Sequence, residues 1–380
     1  MIQSKLPAAG TTIFTVMSSL AQQHQAINLS QGFPDFEMPQ ELIAHVNEAM
    51  LRGQNQYAPM PGLLPLREML AQKVHELYGV SVNPDTEITI APGGTLAIYT
   101  AITTVVRPGD EVIVLEPAYD SYIPNIELNG GKVITVPLQT PDYSVNWPLV
   151  AQSITPRTRL IIINTPHNPC GYVWTREDMQ QLDQLLAGKD IYVVSDEVYE
   201  HLTFDNRRHE TILSWPNLRS RAFACYSFGK VFNNTGWKMG YCIAPEPLMK
   251  EYRKVHQFLC FSCNTPVQAG MAAFLHNKDH YLQLSAFMQE KRNYFLDLMK
   301  GSRFTLHQPS NGSYFQVMGY EQISQQSDLD FARWLTEAHQ VATIPVSAFY
   351  QQPKDDHMIR FCFAKKNETL EQAAERLIKV

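Results

Sequence analysis

The chain has 380 residues, 44% of them apolar and only 18% charged, with a net charge of −6. At ~150 residues per domain, this length suggests two domains, or one large domain with a satellite, and a core that needs neither disulfides nor metals. The composition excludes disorder, collagen and coiled coil, and the mild acidity argues against nucleic acid or an anionic membrane as a partner.

At the amino terminus, residues 13–20 are apolar but broken by Thr and Ser, unlike the continuous core of a secretory signal. No apolar run approaches the ~18 residues of a membrane helix. Six cysteines are too few for a disulfide scaffold, so the expected compartment is reducing and cytoplasmic. From about residue 88 to 245, short β-branched runs alternate with helical patterns. Strands are expected at 87–90, 111–115, 132–136, 159–163, 191–194, 222–225 and 240–244. A helical run from 93 to 106 follows the first, and another over 175–186 has Thr175 as N-cap and Gly188 as stop. Nearly continuous apolar strands separated by helices predict a parallel sheet covered on both faces.

Beyond residue 246 the pattern changes to long helices reaching residue 300. Strands near 303–306 and 313–317, a helix near 328–339, a strand at 358–363 and a final helix complete the chain. The expected architecture is α/β: a large domain with a mostly parallel, helix-sandwiched sheet (46–275) and a smaller α+β domain (276–380). An amino-terminal arm (1–45) contributes to the smaller domain. In such sheets ligands sit beyond the carboxyl ends of the strands.

Five strand ends carry candidate chemistry. Gly93-Gly94-Thr95 opens a helix after a strand, where free N–H groups and the helix dipole form an anion site, or the glycines simply make a tight turn. Asp196 ends an apolar strand, as a partner for a protonated heterocyclic nitrogen or as a helix cap or surface loop. Asn164-Thr-Pro-His-Asn168-Pro-Cys-Gly171 is stiffened by its prolines, holding the Asn168 amide at a strand end, with His167 read as structural. Lys230 lies among aromatic and small residues that would lower its pKa toward the nucleophilic amine, with Lys238 eight residues on. Two surface lysines are the alternative. Arg360 stands inside the apolar run 358–363, to bind a carboxylate or to form an internal ion pair. Cys260 and Cys263 form a lone C-x-x-C without a second pair, so they are expected to be ordinary thiols, and no metal is expected. Dinucleotide, Walker, H-E-x-x-H and G-x-S-x-G signatures are absent.

A phosphate cradle, a carboxylate for a ring nitrogen, a ring-facing amide, an imine-forming lysine and a carboxylate-binding arginine jointly fit pyridoxal phosphate. The stretches LSQGFPDF (29–36), NQYAPMPGLLPLRE (55–68), PGGTLAIYTA (92–101), EPAYDSY (116–122), NTPHNPCG (164–171), SDEVYEHLTF (195–204), SFGKVFNNTGWKMGY (227–241) and MIRFCFAK (358–365) span nearly the whole chain. In this order they resemble the fold-type I pyridoxal-phosphate aminotransferases of class I/II, in the kynurenine/glutamine/methionine aminotransferase branch.

The resemblance implies that Lys230 holds the cofactor as a Schiff base and shuttles the substrate proton. Asp196 would pair with the pyridinium nitrogen, Asn168 and Tyr199 would bond the ring 3-oxygen, and Tyr119 would stack on the ring. Backbone at Gly94, Thr95 and Leu96, with Ser227 and Lys238, would hold the phosphate. Tyr57 would reach the phosphate of the other subunit, which implies a homodimer with shared sites. Arg360 would bind the substrate carboxylate, with Asn168 beside it and with Gly32 and Phe14 covering the substrate. Many family members carry arginine in place of Lys238; lysine is a point charge, so bidentate phosphate contact is lost here, and this branch resembles the chain in carrying lysine. The implied reaction is ping-pong transamination from a neutral, bulky amino acid (methionine, glutamine or aromatic) to a 2-oxo acid. A carbon–sulfur β-lyase on the same scaffold is the alternative, separable by its pyruvate product. A pyridoxal-phosphate-sensing regulator would need a DNA-binding module that this acidic chain does not display.

Overall fold

The structure is a computed structural model and describes residues 2–352 and 354–380. In chain order its strands are β1 (Ile27–Asn28), β2 (Ile88–Ala91), β3 (Glu111–Glu116), β4 (Lys132–Pro137), β5 (Thr158–Asn164), β6 (Tyr192–Asp196), β7 (Ala222–Ser227), β8 (Gly240–Ile243), β9 (Phe315–Gly319), β10 (Val341–Ala342), β11 (Ile344–Pro345) and β12 (Met358–Cys362). Seven of them form one sheet in the order β2-β8-β7-β6-β5-β3-β4. Strands β3 to β7 pair in parallel, while β8 runs against both of its neighbours, β7 and β2. The sheet is therefore mostly parallel, as expected, with one reversed strand.

The apolar runs are continuous because both faces of this sheet are covered. Successive side chains alternate between faces. Ile161 and Ile163 of β5 join a core with Leu182 and Met271, whereas Leu160 and Ile162 join the opposite one with Ile98 and Tyr252. Helix Arg176–Leu186 starts at a capping box in which Thr175 and Asp178 satisfy each other's backbone N–H groups. Its Met179, Leu182 and Leu186 recur at helical spacing and are buried. Helix Gly93–Val105 covers the other face with Ala97, Ile98, Ala101 and Ile102.

A third core surrounds the antiparallel sheet β11-β12-β9. Here β1 pairs in parallel with β10, which brings Leu29 from the start of the chain against Phe295, Leu335, Phe361 and Leu370. Helix Asp328–His339 has both expected ends. The Ser327 side chain caps its start, and Gln340 (φ 54) leaves helical geometry at its end.

Three expectations change. Residues 303–306 form no strand, only an isolated bridge between Thr305 and Gly319. β9 begins at Phe315 because Ser313 adopts φ 68, a left-handed conformation that no strand accommodates. Helix Gln40–Leu51 runs across the expected 45/46 boundary, since Leu42 and Val46 belong to the core of the large sheet. Replacing Ile162 by Ala at the sheet centre should cost about 2–5 kcal/mol. This would be read as a lower urea midpoint with an unchanged slope, and a loss below about 1 kcal/mol would contradict close packing there.

Candidate active site

Because β2, β3, β5, β6 and β7 share a direction, their carboxyl ends meet along one edge of the sheet. A cavity of about 350 Å³ opens there. It is lined by Gly94, Thr95, Tyr119, Asn168, Asp196 and Tyr199, and by Ser227, Lys230 and Lys238. Phe14, Gly32 and Arg360 arrive from the rest of the chain. Two expected residues stand apart. Leu96 does not line the cavity, although its backbone lies in the first turn of helix Gly93–Val105. Tyr57 is 80% exposed and rests its ring edge on Phe261, 5.2 Å between centroids.

The first turn of helix Gly93–Val105 has no acidic residue and no side-chain cap, so its N–H groups face the cavity uncommitted. Gly94 is required by close approach, because a Cβ there would lie 2.8 Å from Val198 Cγ1. The reversal of β8 puts its start, not its end, at this edge. Lys238, just before β8, thereby reaches the same place as the helix start, its Nζ within 3.5 Å of where a Gly93 Cβ would stand. With Ser227 at the end of β7, the set suits a phosphate.

Asp196 closes β6 and is 3% exposed. Burial raises its pKa to about 6, against the pull of the Tyr122 hydroxyl, which donates to Oδ2, and of the Val198 N–H. A buried carboxylate with a raised pKa gains most from a cationic partner such as a protonated ring nitrogen.

Lys230, in the short helix Phe228–Val231 after β7, is half-buried at the cavity wall. Burial lowers its pKa to about 8. Its Nζ donates to the Gly32 carbonyl at 2.8 Å, and the Tyr199 ring lies 5.6 Å away. The Tyr314 hydroxyl donates to the Lys230 carbonyl and anchors the backbone. Gly32 admits no side chain, since a Cβ would sit 2.6 Å from Phe315 Cζ.

Arg360 is completely buried in β12. Its Nη1 donates to Asn168 Oδ1 and its Nη2 to the Ser30 carbonyl, each at 2.7 Å, and neither acceptor is charged. The guanidinium lies 3.9 Å from the Phe315 ring centre, with Phe14 and Phe349 also beside it. Its Nε has no partner, and burial lowers its pKa to about 10. Among the described residues, Arg360 forms no internal ion pair, the alternative left open by the sequence. Asn168 spends its oxygen on Arg360, which leaves Nδ2 as the donor available to the cavity.

Sequence reasoning missed Tyr122, Asn164, Asp120 and Phe315. Asn164 ends β5, accepts from the Asn168 N–H at 2.8 Å and donates to the Asp196 carbonyl at 2.9 Å, so it ties two site loops together. Its position at a strand end was the available signal. Asp120 faces the cavity with its pKa raised by burial and opposed by Arg360. Tyr122 and Phe315 depend on long-range packing that no local pattern reports. His167 is buried, with Nδ1 2.8 Å from Cys170 Sγ and a pKa lowered by burial to about 3, in keeping with a structural role.

Comparisons with known proteins place the whole chain and its fold. The methionine aminotransferase of Escherichia coli strain K12 is 50% identical over 376 residues, covering 99% of this chain and 97% of its own. The crystal structure of YbdL from Escherichia coli, described with a methionine aminotransferase function, superposes with a TM-score of 0.97 at 49% identity over the whole of both chains. N-succinyldiaminopimelate aminotransferase from Mycobacterium tuberculosis gives a TM-score of 0.96 at 35% identity, again over both chains in full. Human kynurenine–oxoglutarate transaminase 1 is 33% identical, covering 95% of this chain and 93% of its own. The family model described as aminotransferase class I and II matches residues 24–377, and the chain belongs to that family of enzymes.

Proposed function

We propose that the cavity binds pyridoxal 5′-phosphate and that the enzyme transfers the amino group of a neutral, bulky amino acid to a 2-oxo acid by a ping-pong mechanism. The observation that carries this reading is Arg360, a fully buried guanidinium with an unpaired Nε and only uncharged partners, in the same cavity as Lys230. Its planar fork suits the α-carboxylate of an amino acid.

The residues fit the cofactor. The N–H groups at Gly94, Thr95 and Leu96, with Ser227 and Lys238, would hold its phosphate. Asp196 would hold the pyridinium proton, Asn168 and Tyr199 would donate to the 3-oxygen, and Tyr119 would stack on the ring. When bound, pyridoxal phosphate supplies an electron sink for negative charge at the substrate Cα. Lys230 Nζ, with its pKa near 8, is matched to take the Cα proton and return it. Gly32 and Phe14 exclude water over the substrate.

The cations lining the cavity among the described residues are Lys230, Lys238 and Arg360. Asp120 would repel a second substrate carboxylate, and Phe14, Phe33, Tyr119 and Phe315 give apolar walls. These features favour methionine, glutamine or an aromatic amino acid, and the methionine aminotransferase likeness puts methionine first. The exposed Tyr57 is proposed to reach the phosphate of a second copy in a homodimer. A reducing cytoplasm is proposed as the setting, supported by six free cysteines.

Initial rates with methionine and a 2-oxo acid should give parallel double-reciprocal lines, and Lys230→Ala should lower turnover by about 10²–10⁴-fold. Intersecting lines or an active Lys230→Ala would overturn the assignment. Arg360→Lys keeps the charge and loses the fork, and should raise the amino-acid KM about 10–100-fold at unchanged cofactor content. Loss of cofactor instead would give Arg360 a structural role. Burial disfavours the Lys230 ammonium, so its proton leaves as pH climbs through about 8. Reductive methylation of Lys230 in cofactor-free protein, followed by mass spectrometry, should rise with that midpoint, ahead of lysines near ~10.4. Across the interval from about 8 to the ordinary lysine value the unfolded chain binds more protons at this site, so its contribution to stability grows with pH.

A further inference from the structure

One cluster of ligating side chains lies outside the cavity. Helix Glu246–Leu259 carries His256 one turn before its C-cap, Cys260, so both project from one face of the helix. Phe261 then takes φ 66, a left-handed turn that leads the chain round to Cys263. The ligand atoms of His256, Cys260 and Cys263 all lie within 4.8 Å of one another. The two Sγ atoms are 3.9 Å apart. Two thiolates on a tetrahedral Zn²⁺, each at about 2.3 Å, stand about 3.8 Å apart.

The imidazole gives the second, independent indication. His256 is completely buried, and among the described residues neither of its ring nitrogens has a hydrogen-bond partner. Buried polar groups are almost always satisfied, and an orphaned imidazole beside two thiols lacks one kind of partner in particular. A disulfide between the cysteines would leave both nitrogens unpaired, whereas an ion would pair one of them.

We propose that His256, Cys260 and Cys263 form a binding site for a thiophilic divalent cation of the Zn²⁺ class, with a fourth position open to water beside the half-exposed Cys260. On binding, the two thiols release their protons to solvent, and the ion with two thiolates and one imidazole is electrically neutral, which suits a largely buried place. The lone C-x-x-C thus finds its third ligand four residues upstream on the helix. The turn that holds the ion is bonded to the segment before helix Leu64–Tyr78. Ser262 Oγ donates to the Ala58 carbonyl at 2.9 Å, Thr265 Oγ1 donates to the Gln56 carbonyl at 2.6 Å, and Phe261 meets Tyr57. The bound ion stiffens the base of the Tyr57 segment, and the site itself does not depend on the transamination reading.

The test uses cofactor-loaded enzyme reduced with a phosphine and dialysed against Zn²⁺ in the presence of a chelator of micromolar affinity. One Zn²⁺ per chain should be retained, with X-ray absorption giving two sulfurs at about 2.3 Å and an imidazole nitrogen. The double variant Cys260→Ser, Cys263→Ser should lose the ion, and His256→Gln should weaken binding by at least about tenfold. Should a variant fold poorly, alkylation of the unmodified protein decides: Zn²⁺ must protect Cys260 and Cys263 from iodoacetamide in peptide maps. Failure to retain Zn²⁺, a shell without sulfur, equal retention by the double variant, or equal alkylation with and without Zn²⁺ overturns the proposal.

Discussion

Everything in the cavity depends on the shared direction of six strands in the large sheet. With both faces buried under helices, the strands are mostly apolar along their length, and most polar groups collect where strands begin or end. A common direction places those ends on one edge, so Asn164, Asp196 and Ser227 become neighbours although they are distant in sequence. The single reversed strand β8 adds to this, because it delivers Lys238 from its start to the edge where the others finish.

Arg360 imposes the second constraint. It belongs to β12 in the smaller sheet, but its hydrogen bonds reach Asn168 at the edge of the large sheet and Ser30 in the amino-terminal segment. A fully buried guanidinium costs several kcal/mol unless its charge is met. Two uncharged acceptors and aromatic faces meet it only in part. The folded chain therefore holds a desolvated cation ready for an anion, and three separate stretches of the chain are ordered around it before any ligand arrives.

Legibility in the sequence followed the range of the forces involved. Features set by local chemistry were readable: the β-branched runs, the Thr175 cap, and both ends of helix Asp328–His339. So were site residues at strand ends, since apolar runs that stop on Asp196 or Ser227 announce the edge of a sheet. Features decided by a single backbone conformation or by tertiary approach were hidden. Ser313 turns left-handed and shifts β9 by two residues, while 303–306 look strand-like but find only one bridge. Tyr122 reaches Asp196 across 74 positions of sequence. Cys260 and Cys263 read as ordinary thiols, because the absence of hydrogen bonds around the His256 imidazole is visible only after packing.

The bond from Lys230 Nζ to the Gly32 carbonyl gives one atom two duties. Gly32 sits in the segment that roofs the cavity, pressed against Phe315 without room for a side chain. The lysine proposed as the reactive amine is thus also bonded to that roof. Whenever the amine is committed elsewhere, the Gly32 carbonyl loses this donor, and the segment is left to the bonds at its flanks, from Arg360 to Ser30 and from Lys365 to Phe33.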